Sequence, residues 1–222
     1  MFVRDMYVFM ENRPVLVRVR NYTEADFDEL IEIQRECFPP PFPEELLWNK
    51  EQLHNHVTLF PEGAFCVEFD GMIIGSITTL MVGSEDGGVR HQSWEDVTDN
   101  GYIRNHDAKG DSVYAVDISV RPKYRKYGFG KILIDAICSL VIHMGLKRVF
   151  GGCRMPMYCH HAEQMTPEDY MDLVLKGELN DPVVTFLLRC GHIPVSIVPN
   201  YLDDPESCDY GVIFEWRNPF LK

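Results

Sequence analysis

From Val113 to Ile142 the sequence VYAVDISVRPKYRKYGFGKILIDAICSLVI passes from an alternating apolar strand through Arg-Pro into a basic, glycine-punctuated turn, then straight into an apolar helix. This order fixes a strand–turn–helix unit whose helix starts near Gly128. There the leading backbone N–H groups and the positive end of the helix dipole make an anion site. Gly128 and Gly130 lack the Cβ atoms that would hold a phosphate off the backbone, and Arg125 and Lys126 add positive charge at the same end.

Other glycine motifs fail on individual residues. A dinucleotide fingerprint needs a third glycine where Leu133 stands, and a P-loop needs Ser or Thr where Ile132 follows Gly130-Lys131. The spacing Arg125-x-x-Gly128-x-Gly130, preceded by Val120-x-Pro122, resembles the acyl-CoA-binding signature of the GNAT superfamily of N-acetyltransferases. The stretch from Gly151-Gly152-Cys153-Arg154 to Tyr158, with the later Asp181-Pro182, resembles a bacterial GNAT subgroup of unknown acceptor.

Organisation along the chain agrees with that resemblance. Leu16 to Tyr22 alternates as a half-buried strand, and Thr23 caps a helix that carries acids in its first turn and ends before Pro39. A second helix is expected over Glu44 to His56. Strands follow at 64–69 and 72–82, joined by the Asp70-Gly71 turn. Residues 83–111, with Gly83, Gly87, Gly88, Trp94 and Tyr102, are too long for a hairpin and read as an inserted loop. After the central unit come a strand at 147–154 and an irregular stretch from 155 to 164. A helix from Thr166 closed by Gly177, a short helix at 182–190 and strands at 192–198 and 208–216 complete the chain. This is an α/β (α+β) order. By resemblance it implies a GNAT-like mixed, splayed central sheet of about seven strands with helices on both faces, in a single domain over 1–222 with insertions near 83–111 and 155–180.

Composition narrows the partners. A net charge of −13 over 222 residues argues against nucleic acid, whose binding needs a basic stripe. The same acidity suits a cationic amine, although it also serves solubility. Seven single cysteines with no C-x-x-C pair give no disulfide framework and point to a reducing, cytoplasmic location. No charge-free window of about 20 residues exists to span a membrane. Cys153, Cys159, His160 and His161 lack the paired spacing of a zinc site, so no metal is expected.

The GNAT resemblance also implies roles for residues. Backbone N–H groups from Lys126, Tyr127, Gly128, Phe129 and Gly130 would hold the pyrophosphate of acetyl-CoA, with Arg125 and Lys131 flanking. Ile118, Ser119 and Val120 would lie along the pantetheine and direct a backbone N–H at the acetyl carbonyl. Asn180 fits the family's helix-leading Asn and is counted with the cofactor residues. Leu187 stands where many members carry the tyrosine that protonates the departing thiolate. Substitutes for proton transfer are Tyr158 as acid, His160 or Glu163 as acceptor of the amine proton, and Asp117, an acid amid apolar neighbours on the cofactor strand.

The expected activity is acetyl transfer from acetyl-CoA to a primary amine, on a small molecule or a peptide, by direct attack in a ternary complex. Two other readings stand beside it. One is a catalytically silent CoA-binding module, suggested by Leu187. The other is an interaction protein, or a homodimer, built on the two inserts.

Overall fold

The computed structural model describes residues 2–40, 42–83 and 92–221. Among these described residues eight strands form one sheet in the order β1-β2-β3-β4-β5-β6-β8-β7. They are β1 (Val3–Met10), β2 (Arg13–Asn21), β3 (Ala64–Phe69), β4 (Met72–Val82), β5 (Ser112–Val120), β6 (Arg148–Arg154), β7 (Ile193–Val198) and β8 (Gly211–Arg217). Every neighbouring pair is antiparallel except β5 and β6, which run parallel.

The expectation of about seven strands missed β1. Its turn, Glu11-Asn12, contains no glycine, yet both residues adopt positive φ (49° and 63°) and close a two-residue hairpin from Met10 to Arg13. The alternation of β1 is also obscured, because Tyr7 and Phe9 face outward and are mostly exposed.

Among the described residues six α-helices cover the sheet: α1 (Phe27–Cys37), α2 (Lys50–Leu59), α3 (Trp94–Thr98), α4 (Phe129–His143), α5 (Pro167–Lys176) and α6 (Pro182–Arg189). Thr23 caps the entry to α1 as expected, and the cap closes as a box in which the Thr23 N–H donates to Asp26 Oδ2 at 2.7 Å. The helix expected over Glu44 to His56 starts later, because Asn49 caps it by accepting from the N–H groups of Glu51 and Gln52. Glu44–Leu46 is a separate 3-10 turn.

The helices lie on both faces. Leu30 and Ile33 of α1 and Leu53 of α2 pack with Cys66, Leu80, Tyr114 and Val116 in one core. Phe129, Leu133, Ile134, Ile137 and Val141 of α4 pack with Phe65, Ile77, Val113 and Val149 in a second. Each such apolar side chain contributes about 1.5–3 kcal/mol when fully buried. A third cluster joins α5 and α6 to Cys153, Val212 and Phe214.

The inserted segment is packed rather than loose where it is described. Gly87 and Gly88 lie outside the described residues. From residue 92 onward, Trp94, Val97 and Ile103 are buried in the α1–α2 core, and the Trp94 indole N–H donates to Val116 O at 2.9 Å.

Candidate active site

The centre of the sheet contains a fork. Parallel pairing of β5 with β6 covers only Ser112–Arg148, Val113–Val149 and Tyr114–Phe150, although β5 continues to Val120 and β6 to Arg154. Past Tyr114 the strands part. The other side of β5 shows why: its register with β4 steps from Thr79–Ala115 to Thr78–Asp117, so Val116 is a bulge residue that bends the strand at the point of parting. Gly151 lets the strands stay close at that root, since a Cβ there would sit 2.8 Å from Ala115 O.

A tyrosine closes the root. Tyr201 lies over two strand glycines, and a Cβ on Gly152 or Gly211 would fall 2.0 or 2.3 Å from its ring. Its hydroxyl meets that of Tyr114 at 2.6 Å, and burial raises both phenols above their ordinary range, so both stay neutral donors and acceptors.

Beyond the end of β5 the chain enters the glycine turn. Lys126 and Gly128 have φ of 72° and 89°, so both lie in the left-handed region, and Gly128 is the N-cap of α4 with no side-chain cap. The first bond of the helix runs from Ile132 N–H to Gly128 O at 3.1 Å. The N–H groups of Phe129, Gly130 and Lys131 therefore precede any helical carbonyl they could reach. A Cβ at Gly128 would meet nothing within 4 Å, which leaves the approach to these N–H groups open. Charge and backbone suit a phosphate here.

Gly130 differs from expectation in its reason. A Cβ there would sit 3.0 Å from the Phe186 ring of α6, so this glycine lets two helices pack. Arg125 Nε donates back to Val120 O at 3.1 Å, and the Cys37 thiol donates to the same carbonyl at 3.3 Å. Lys131 turns to Asp135 at 2.7 Å, an exposed pair one helical turn on.

On the α1 side of β5, Asp117 and Ser119 share a face. Gln34 of α1, itself buried, donates from Nε2 to Asp117 Oδ2 at 2.8 Å and to Ser119 Oγ at 3.1 Å; Ser119 Oγ donates to Asp117 at 3.0 Å. Burial pushes the Asp117 carboxyl up to about 7, against the pull of the Ser119 and Gln34 hydrogen bonds. Next to it in register, Thr78 bonds the Tyr22 hydroxyl at 2.8 Å, and Tyr22 bonds His56 Nδ1 at 3.1 Å. His56 Nε2 pairs with Gly101 O at 2.7 Å, which makes Nε2 the protonated nitrogen, and burial lowers the ring to about 4.

The loop after β6 is divided between core and surface. Tyr158 is buried among Tyr170 and Tyr210, and its hydroxyl donates to Met165 O at 3.1 Å. His160 and Glu163 are exposed. Asn180 is exposed too, whereas its neighbour Asp181 is fully buried. Asp181 caps α6 through Val183 and Val184 and also accepts from Tyr170 Oη and Met157 N–H. Leu187 packs between the α4 core and the third cluster.

Sequence reasoning missed the Gln34–Asp117 pair, the Trp94 anchor, Tyr201 and the Arg154 group. Arg154 at the end of β6 makes a two-pronged pair with Asp204, at 2.8 and 2.7 Å, and also reaches Glu206, while its guanidinium lies over the rings of Phe38 and Phe42. Two glycines inside strands, at 152 and 211, were the available hint of a ring lying across them. Among the described residues no group of three or more His, Cys, Asp or Glu could hold a metal ion, and no helix is long and apolar enough to cross a membrane.

The model of the acetyltransferase (GNAT) family matches residues 27–157, from α1 through the fork and the cradle to the start of the following loop. The chain belongs to the GNAT family. The N-acetyltransferase YkwB of Bacillus subtilis, whose name marks it as uncharacterized, is 47% identical over 220 residues, covering 99% of this chain and 97% of YkwB. The probable hydrolase YhcX of the same organism is 40% identical over 201 residues; the match takes in 90% of this chain but 38% of YhcX. Among solved structures, the GphF GNAT-like decarboxylase in complex with isobutyryl-CoA superposes with a TM-score of 0.77 at 23% identity, covering 90% of this chain and 99% of GphF. That likeness establishes the GNAT fold, with its splayed sheet and helices on both faces.

Proposed function

We propose that this GNAT protein transfers the acetyl group of acetyl-CoA to a primary amine on a small molecule or a peptide, by direct attack in a ternary complex. The observation that carries this reading is the junction of fork and cradle. The bulge at Val116, the parted strands and the open N-terminus of α4 succeed one another along one run of chain, as docking a long phosphorylated thioester requires. The residues fit that group. The N–H groups from Lys126 to Gly130 and the Arg125 and Lys126 charges suit its pyrophosphate, and Ile118, Ser119 and Val120 suit its pantetheine. When bound, acetyl-CoA supplies an acetyl group activated as a thioester.

The transfer then sets three tasks, two of which fall to the chain's own residues. Asp117, poised near 7, takes the proton that an ammonium must lose before its nitrogen can attack. Backbone N–H groups near the bulge, Ile118 first among them, donate to the oxygen on which negative charge develops. The third task is protonation of the departing thiolate, which falls to solvent, because Leu187 has no proton to give and the Tyr158 hydroxyl is engaged by Met165 O. His160 and Glu163 stand in solvent and serve at most to pass protons outward.

A second reading, a CoA-binding module without turnover, is favoured by Leu187 alone. A carboxyl held near 7 in the cleft weighs against it.

Titration calorimetry with acetyl-CoA, with CoA and NAD as comparison ligands, tests the reading first, followed by thiol release over a panel of amines. Selective binding of CoA species with turnover of an amine supports it. Binding without turnover on any amine favours the silent module, and no binding of acetyl-CoA overturns both.

A further inference from the structure

The inserted segment reaches Asp117 by two routes. Trp94 of α3 holds the carbonyl of Val116, the residue just before it, through the indole N–H at 2.9 Å. Gly101 reaches the strand opposite through a chain of side chains: its carbonyl meets His56 Nε2 at 2.7 Å, His56 Nδ1 meets the Tyr22 hydroxyl at 3.1 Å, and that hydroxyl meets Thr78 Oγ1 at 2.8 Å. Thr78 is the β4 partner of Asp117 in register, so the two side chains stand side by side on the α1 face. The two routes are tied together inside the segment. The Thr98 hydroxyl, fully buried, donates to Trp94 O at 2.7 Å and accepts from the Gly101 N–H at 2.9 Å. Outside it, the successive carbonyls of Asn100, Gly101 and Tyr102 accept from Gln52, His56 and Asn55 of α2.

Each proton in this chain of bonds has one place to go. A carbonyl only accepts, so His56 Nε2 carries the ring proton. The ring is fully buried and its two nitrogens meet only Gly101 O and Tyr22, so it stays neutral and Nδ1 can only accept. Tyr22 must therefore donate to His56, and Thr78 must donate to Tyr22. Thr78 is left with lone pairs alone to present to Asp117. A hydroxyl free to donate would stabilise the carboxylate, whereas one that can only accept favours the protonated acid. The other groups around Asp117 are uncharged: Gln34 and the Cys37 thiol on α1, Ser119 on β5, and the Tyr22 phenol, with burial keeping Cys37 and Tyr22 protonated. The guanidinium groups at the fork are bound elsewhere, Arg125 to Val120 O and Arg154 to Asp204. We propose, resting on the reading of Asp117 as the base, that the inserted segment sets the proton affinity of Asp117 by fixing the direction of the hydrogen bonds that run from Gly101 to Thr78. Gly101, His56, Tyr22 and Thr78 are then positioning residues for the base.

Carbon-13 resonance of the aspartate carboxyls, followed against pH in the full chain without ligand, tests the proposal and needs no acceptor. The Asp117 signal is the one lost in Asp117→Asn, and its midpoint is expected near 7. Tyr22→Phe removes one oxygen and frees the Thr78 hydroxyl to turn and donate to the carboxylate, so the midpoint is expected to fall by about one pH unit, roughly a tenfold loss of proton affinity. On a Thr78→Val background no hydroxyl remains to turn, and Tyr22→Phe is expected to leave the midpoint where Thr78→Val puts it. A midpoint that stays or rises in Tyr22→Phe overturns the proposal, and so does an equal fall on the Thr78→Val background. Nitrogen-15 resonance of the wild type adds a reading that depends on no variant: the His56 proton is expected on Nε2, and finding it on Nδ1 overturns the proposal. If the midpoints move as expected while Asp117→Asn acetylates an amine as fast as the wild type, the role of Asp117 as base is overturned and the control of its proton affinity stands.

Discussion

The two arms of the fork each carry a carboxylate in hydrogen-bonding surroundings, yet the two acids are held in opposite states. Asp117 on β5 has only neutral donors, Gln34 and Ser119, and burial dominates, so its carboxyl rises to about 7. Asp204, docked on Arg154 at the end of β6, is also buried, but a two-pronged guanidinium and the Ser207 hydroxyl hold it below the usual carboxylate range. Burial alone does not decide what an acid does. A cation within contact makes it a permanent anion and a structural tie; neutral donors leave its proton exchangeable near neutrality.

The largest effect should come from breaking the paired side. Asp204→Ala leaves the Arg154 guanidinium, 19% exposed, without its main partner and is expected to cost about 3–5 kcal/mol, read as a lower urea midpoint. Asp117→Asn removes the unpaired acid and should do the reverse: little or no loss of stability, but a turnover lower by about 100-fold or more and loss of the rising limb of kcat/KM near pH 7. The linkage signs differ as well. The raised pKa of Asp117 means that the stability tied to its proton is present below about pH 4 and lost as pH rises through about 7. The lowered pKa of Asp204 means that its contribution is present above the ordinary carboxylate range and lost as pH falls through it. Thermal melting across pH 4–8 should therefore show a downward slope that Asp117→Asn flattens.

Smaller changes sharpen the contrast. Gln34→Leu deletes a donor to the charged form of Asp117, so the kinetic midpoint should move to higher pH, with about 1 kcal/mol at stake. A midpoint that does not move would remove Gln34 from any role in setting Asp117. Least of all, Tyr201→Phe deletes the hydroxyl contact with Tyr114 at the root of the fork, and an unfolding cost of about 1 kcal/mol or less is expected with the pH profile intact.

How much of this was legible in the sequence follows the distance over which each feature is built. The strand, turn and open α4 N-terminus were read directly because they are consecutive, and the cap at Thr23 and the Asp70-Gly71 turn are equally local. Asp117 stood out because an acid among apolar residues needs a partner. The partner, Gln34, lies 83 residues away on a helix and no spacing announces it. Asn180 was singled out by resemblance to a family pattern; the buried cap of α6 is its neighbour Asp181, and Asp181-Pro182 is itself a helix start, an acid at the cap and a proline at the first turn. The hairpin at Glu11-Asn12 was lost because a turn that usually advertises itself with glycine is made here by two residues in the left-handed region.

Trp94 gives the fork an optical property. Its indole N–H is bonded to the carbonyl of the bulge residue Val116, and its ring lies 6.2 Å from that of Trp48, a tilted pair of chromophores on one side of the strand. Indole emission follows the hydrogen bonding and polarity around the ring. Any molecule that enters between β5 and β6 and shifts that carbonyl will change the fluorescence of the unlabelled protein, so occupancy of the cleft is readable as a colour before any reaction is known.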